Sequence, residues 1–117
     1  MDMGKKHLFL IFGGIIVILG VAMIMPKQKE STILFYGEGC PHCANVDDYI
    51  KANGIEGKVK FERKEVYNDD ENANLLASKA GQCGLQTGQI GVPFLWDGKN
   101  CFIGDEDIIK FFEQKIK

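Results

Sequence analysis

Serine and histidine are almost missing from the polar part of this 117-residue chain. From residue 31 onward Ser31 and Ser78 are the only serines and His42 the only histidine, so a serine-hydrolase triad lacks material. A surplus of basic charge is missing too. Residues 31–117 carry 10 Lys/Arg against 14 Asp/Glu, which leaves no basic face for nucleic acid or anionic lipid. All four methionines precede Lys27, so no thioether is available near the cysteines further on. Internal repeats and low-complexity tracts are also lacking.

One stretch near the N-terminus lacks charge altogether. Leu8 to Met25 is an uninterrupted apolar run of 18 residues, about 27 Å as a helix and just enough to cross a bilayer core. A cleaved signal peptide is the competing reading, because Lys5, Lys6 and His7 form a short basic flank. The run is longer than a usual signal core and ends Met23-Ile24-Met25-Pro26 without a small-x-small site, which favours an uncleaved anchor. The division expected is a flank at 1–7, a transmembrane signal-anchor helix at 8–25, a linker at 26–30 and one domain at 31–117. The basic residues before the span give a slight lean toward a cytoplasmic N-terminus and an extracytoplasmic domain, in the periplasm or at the cell exterior. The five-residue linker reaches only about 17 Å, so the domain stays close to the membrane surface.

What the chain does have is Cys40-Pro41-His42-Cys43, directly after the apolar run Thr32 to Tyr36. Pro41 suits a first helical position, which makes Cys40 the cap of a helix that follows a buried strand. The free N–H groups of a helix start favour a thiolate there, and His42, when protonated, adds positive charge in the same turn. Both effects stabilise the reduced form and make the disulfide a stronger oxidant. Cys43, three residues on and facing the apolar side, is placed to resolve a mixed disulfide. Glu38 and Glu65 are candidate proton carriers for Cys43, or simply charged surface residues.

The remaining pattern predicts β-α-β-α-β-β-α. Cys43, Val46, Ile50 and Asn53, with Tyr49, line one face of the first helix, and Gly54 marks its stop. Val59 to Tyr67 reads as a second strand. Asn68 and Glu71 offer a capping box for a helix to about Ala80, with Leu75, Leu76 and Ala80 inward. Asp97-Gly98 signals a two-residue hairpin that pairs Trp96 with Lys99 and Phe94 with Cys101. A last helix opens at Asp105 as cap. A strand–helix–strand start implies a parallel pair, with the hairpin adding an antiparallel edge.

This order, with Cys-x-x-Cys after the first strand and Val92-Pro93 before the third, resembles the thioredoxin fold. Over residues 31–117 it is closest to the glutaredoxin-like members in size, and Cys-Pro-His-Cys resembles the active site of DsbA-type thiol oxidases. The resemblance implies an α/β domain with a mixed four-stranded sheet behind the transmembrane helix. It implies a cis Val92–Pro93 bond beside Cys40 and Cys43, with Val92 and Pro93 contacting an extended substrate. The implied activity is protein thiol–disulfide exchange, with Cys40 and Cys43 catalytic and Pro41 and His42 tuning. The chemistry needs no cofactor and no metal, and the short tether points to a membrane redox partner.

For Cys83 and Cys101 the sequence allows several states. If the hairpin holds, Cys101 shares a sheet face with Phe94, and the loop carrying Cys83 runs up to Pro93, so a structural disulfide is favoured. A redox pair feeding Cys43, two free thiols, and a four-cysteine zinc site are the alternatives, the last weakened by gaps that leave no second close pair. No residue set for glutathione stands out. Reductase or isomerase work, and a Cu(I)- or Zn(II)-carrying metallochaperone, are the alternatives to an oxidase.

Overall fold

A computed structural model describes residues 30–117. The expected span at 8–25 lies outside the described residues, as do the flank and most of the linker. Among the described residues no helix is long and apolar enough to cross a membrane.

The elements are β1 (Ile33–Tyr36), α1 (Pro41–Ala52), β2 (Glu62–Glu65), α2 (Asp70–Gln82), β3 (Phe94–Trp96), β4 (Cys101–Ile103) and α3 (Asp105–Lys115). Short 3-10 turns stand at Ile55–Gly57 and Thr87–Gln89. One four-stranded sheet has the order β2-β1-β3-β4. β1 pairs with β2 in parallel and with β3 antiparallel, and β3 pairs antiparallel with β4.

Alternation along β1 and β3 divides the core into two layers. Ile33, Phe35, Phe94 and Trp96 face α2, where they pack with Leu76 and Ala80. Leu34 and Leu95 face the other way, against Val46 and Ile50 of α1 and Ile108, Phe111 and Phe112 of α3. Both central strands are therefore apolar on both sides, which explains their unbroken apolar sequence. Phe35 and Phe94, opposite each other in the ladder, meet edge to face at 6.0 Å. Trp96 is buried, and its indole N–H donates to Glu30 Oε2 at 3.1 Å.

Four local expectations are corrected. The second strand is confined to Glu62–Glu65 rather than running from Val59 to Tyr67. The Val59 N–H is taken by Ile55 O at 2.8 Å, so the ladder begins only where the Glu62 N–H reaches Thr32 O at 2.9 Å. Val59 and Phe61 still pack on the core from outside the strand. The cap of α2 is Asp69, whose carboxylate accepts the Asn72 N–H at 3.0 Å, and not Asn68. The cap of α3 is Gly104 and not Asp105.

The hairpin pairs Trp96 with Cys101 and Phe94 with Ile103, so Gly98 and Lys99 form the turn instead of Asp97 and Gly98. The reason is the Asp97 carboxylate, which accepts the N–H groups of Lys99 and Asn100 and closes the turn one residue later. The Asp97 N–H then donates to Asn100 O at 3.1 Å. Gly98 takes φ 101°, a conformation that suits glycine. Because each partner moves by two positions, Cys101 keeps its place on the face of Phe94 and Trp96.

Candidate active site

β1 ends at Tyr36, and the chain turns through Gly37-Glu38-Gly39 into α1. Cys40 is the cap residue, in extended conformation (φ −77°, ψ 118°), and Pro41 opens the helix. Pro41 has no N–H to leave unpaired at that position. The geometry turns the Cys40 sulfur back over the helix start, where it accepts the Cys43 N–H at 3.3 Å. On its other side the thiol faces Val92 O at 3.8 Å. The Val92–Pro93 bond is cis. Cys40 is partly exposed, whereas Cys43, one turn along, is buried.

The two thiols thus differ in environment. Burial first, and the hydrogen bond with Cys40 next, push the Cys43 thiol up to about 12 from its ordinary 9.0. Cys43 keeps its proton at neutral pH and is sheltered, while Cys40 is the sulfur an outside reactant meets. A partly exposed sulfur beside a sheltered protonated one is an arrangement able to support exchange.

The raised ionisation of Cys43 has a measurable consequence for stability. In the reduced folded protein Cys43 holds its proton up to about 12, and once unfolded only to its ordinary 9.0. The stabilisation is therefore complete below pH 9 and is lost as pH rises through about 12. Urea titrations of the reduced protein should show stability falling across that window, by at most about 1.4 kcal/mol per pH unit. Cys43→Ala should remove this part of the fall. An unchanged slope in the variant would assign it to other groups.

Around the sulfurs the structure makes contacts that no motif announced. His42 Nδ1 lies 3.2 Å from Asp105 Oδ2, and Asn45 Nδ2 donates to the same oxygen at 2.8 Å. Freed from capping α3, Asp105 joins the start of α3 to the start of α1. Asn45, then His42, hold its carboxyl below the usual carboxylate range. His42, expected to act on Cys40, is thus engaged with an acid from α3. On the other flank the Glu65 carboxylate accepts three backbone N–H groups, from Glu38 at 2.9 Å, Tyr67 at 3.1 Å and Asn68 at 2.7 Å. The Asn68 N–H leads in lowering its pKa, with Glu38 and Tyr67 adding and burial opposing. A carboxylate held this way ties two loops together. Sequence spacing offered no signal for either arrangement, since the partners lie 63 and 27 residues apart.

Beside Cys40 and Cys43 opens a cleft of about 410 Å³, lined also by Tyr36, Gly37, Asp47 and Arg63. Arg63 does not offer a free positive charge there. Its guanidinium donates to Asp47 Oδ1 at 2.7 Å and Glu56 Oε1 at 2.8 Å. Arg63 first and Lys51 next hold the Asp47 carboxyl below its usual range.

The remaining two cysteines form a disulfide, Cys83–Cys101, with Cα atoms 6.3 Å apart. Both pack against the α2-side layer of the core, with Ala80 and Trp96 among its members. Sulfurs joined to each other cannot serve as thiolate ligands for zinc in that state.

Strand order, the cysteine pair at the helix start and Pro93 beside it together fit a thioredoxin-like fold. No protein-family model and no curated protein matches the chain. Among solved structures, the chain is similar to the crystal structure of the Neisseria meningitidis DsbD c-terminal domain in the reduced form. The identity is 18%, over 89% of this chain and 96% of that one, with a TM-score of 0.47. That likeness is too low to bear on what this chain does.

Proposed function

We propose that this chain is a membrane-anchored protein thiol–disulfide oxidoreductase whose redox centre is Cys40–Cys43. The observation that carries the reading is the Cys40 sulfur at the start of α1, accepting the Cys43 N–H and open to solvent, with Cys43 buried behind it. In the oxidised protein a client thiolate attacks Cys40 Sγ, and the S–S bond breaks with its electron pair going to Cys43, which takes up a proton. A second client thiolate then attacks the client sulfur of the mixed disulfide, and Cys40 departs with the bonding pair. The client loses two electrons and the pair gains them. Running the same steps backward reduces a client disulfide. No cofactor takes part. Val92 and Pro93, beside Cys40, line the place where client backbone docks.

The direction we favour is oxidation of clients, on the strength of Pro41-His42 between the cysteines. The anchor at 8–25 and the short linker then set the domain against the outer membrane–water boundary. The redox partner is accordingly a membrane protein, either a quinone-linked thiol oxidase or a transmembrane electron donor. Reductase or isomerase work is the second reading. It is favoured by the Asp105 carboxylate beside His42, which competes with Cys40 for any positive charge on the imidazole. A metal-carrying role fits less well, because ligation needs both sulfurs ionised and burial opposes this at Cys43.

Equilibrating the full chain against glutathione redox buffers, with alkylation to count free thiols, tests the proposal. The expected potential lies above that of thioredoxin, roughly −270 mV. A value at or below it would overturn the oxidising direction. Failure of Cys40 and Cys43 to exchange at all would overturn the function.

A further inference from the structure

Tyr67 is one of two large hydrophobic side chains that stand well out in solvent among the described residues, 59% exposed. It stands beside the redox pair. A Cβ at Gly37 would overlap the Tyr67 ring, so the ring lies directly on the Gly37 backbone. The Gly37 carbonyl in turn accepts the Cys40 N–H at 3.2 Å, which places ring and sulfur at the same turn of chain. Partial desolvation pushes the Tyr67 phenol up, and negative charge on Cys40 adds to this. Tyr67 therefore keeps its proton and remains a donor.

An exposed aromatic on a loop does not hold such a position without help. Glu65 supplies it. One oxygen of its carboxylate takes the N–H groups of Glu38 and Tyr67, and the other takes that of Asn68. Asn68 Nδ2 also reaches Glu38 Oε2 at 3.5 Å. Charge-assisted bonds of this kind are stronger than neutral ones. They tie the loop after β2, which carries Tyr67, to the loop after β1, which carries Gly37 and leads to Cys40.

We propose that Tyr67 is a third catalytic side chain, its hydroxyl donating a hydrogen bond to Cys40 Sγ when that sulfur carries negative charge, with Glu65 as the positioning residue that holds it there. The inference rests on the reading of Cys40 as the exchanging sulfur. When Cys40 leaves the mixed disulfide with the bonding pair, the phenol shares the new charge and keeps its own proton. The same bond supports Cys40 when it attacks in the reverse direction. Glycine at position 37 is required because any side chain there would displace the ring.

The test uses the full chain and four variants: Tyr67→Phe, Glu65→Gln, their combination, and Gly37→Ala. Two quantities are read, the rate of Cys40 alkylation by iodoacetamide at pH 7 and the equilibrium constant with glutathione. Tyr67→Phe keeps the ring, so a packing role alone would leave both unchanged. The expected result is a loss of roughly three- to tenfold in alkylation rate, with the equilibrium moved toward the disulfide by a similar factor. Glu65→Gln should produce part of that change in the wild-type background and none beyond Tyr67→Phe, the signature of two residues acting through one bond. Gly37→Ala, by displacing the ring, should resemble Tyr67→Phe. Wild-type rate and equilibrium in Tyr67→Phe would overturn the inference while leaving the function intact. A wild-type protein that does not exchange with glutathione would overturn both.

Discussion

Under the proposed function, Cys43→Ser should turn the protein into a trap that accumulates mixed disulfides with clients through Cys40. The buried thiol of Cys43 is the group placed to reach a Cys40–client bond, one turn along the same helix, with the Cys43 backbone N–H donating to Cys40 Sγ. With serine there, a covalent adduct forms and has no internal exit, and exchange falls by on the order of 10³-fold or more, as when a covalent catalyst loses a partner. Cys40→Ser should lose exchange to the same extent but yield no adducts, since Cys43 is sheltered. Non-reducing electrophoresis of membranes containing each full-length variant distinguishes the two. Adducts through Cys43 in the Cys40→Ser protein would reverse the assignment of attacking and resolving sulfur. A metal carrier would give neither set of adducts and would instead lose its metal.

Removing the second disulfide should act on stability rather than on exchange. Cys83 and Cys101 are 18 residues apart in sequence, and closing a loop of about that size is worth about 3 kcal/mol through the unfolded chain. The Cys83→Ala/Cys101→Ala protein should lose about that much unfolding free energy in urea titrations. Its exchange with glutathione at Cys40 should remain close to wild type. The physical reason is the sheet, which stands between the two centres. Cys83 and Cys101 pack with the layer under α2, while α1, the helix of Cys43, lies on the layer opposite. Exchange lost in the folded double variant would instead mark Cys83–Cys101 as a redox pair serving Cys43.

The way Asp105 and His42 meet shows why some of the site was hidden in the chain. An aspartate directly after a glycine and before an amphipathic stretch reads as a helix cap. Here Gly104 takes the cap position at φ 89°, which leaves the Asp105 side chain free to cross to α1. The same holds for Glu65, which reads as one more exposed charge on an edge strand until its three backbone donors are seen. Tyr67 read as the end of a strand, and its importance lies in which backbone it covers. The hairpin shows the opposite case. Its turn lies one residue beyond Asp97-Gly98 because a single side chain, Asp97, chooses between two adjacent closures. The face of Cys101 was still read correctly, because alternation along a strand survives a shift of two.

Local chemistry and periodicity were enough to specify the Cys-Pro-His-Cys tetrapeptide at a helix start, the strand before it, the apolar faces of the first two helices and the order of elements. These follow from contacts between residues two to four positions apart, which the chain displays directly. Folding alone brought Asp105 to His42, Glu65 to the loop before Cys40 and Tyr67 onto Gly37, and it closed the Cys83–Cys101 bond that the shared sheet face had favoured. Each of these contacts joins separate elements of the sheet and its helices. Their energies depend on distances in space that no sequence interval encodes.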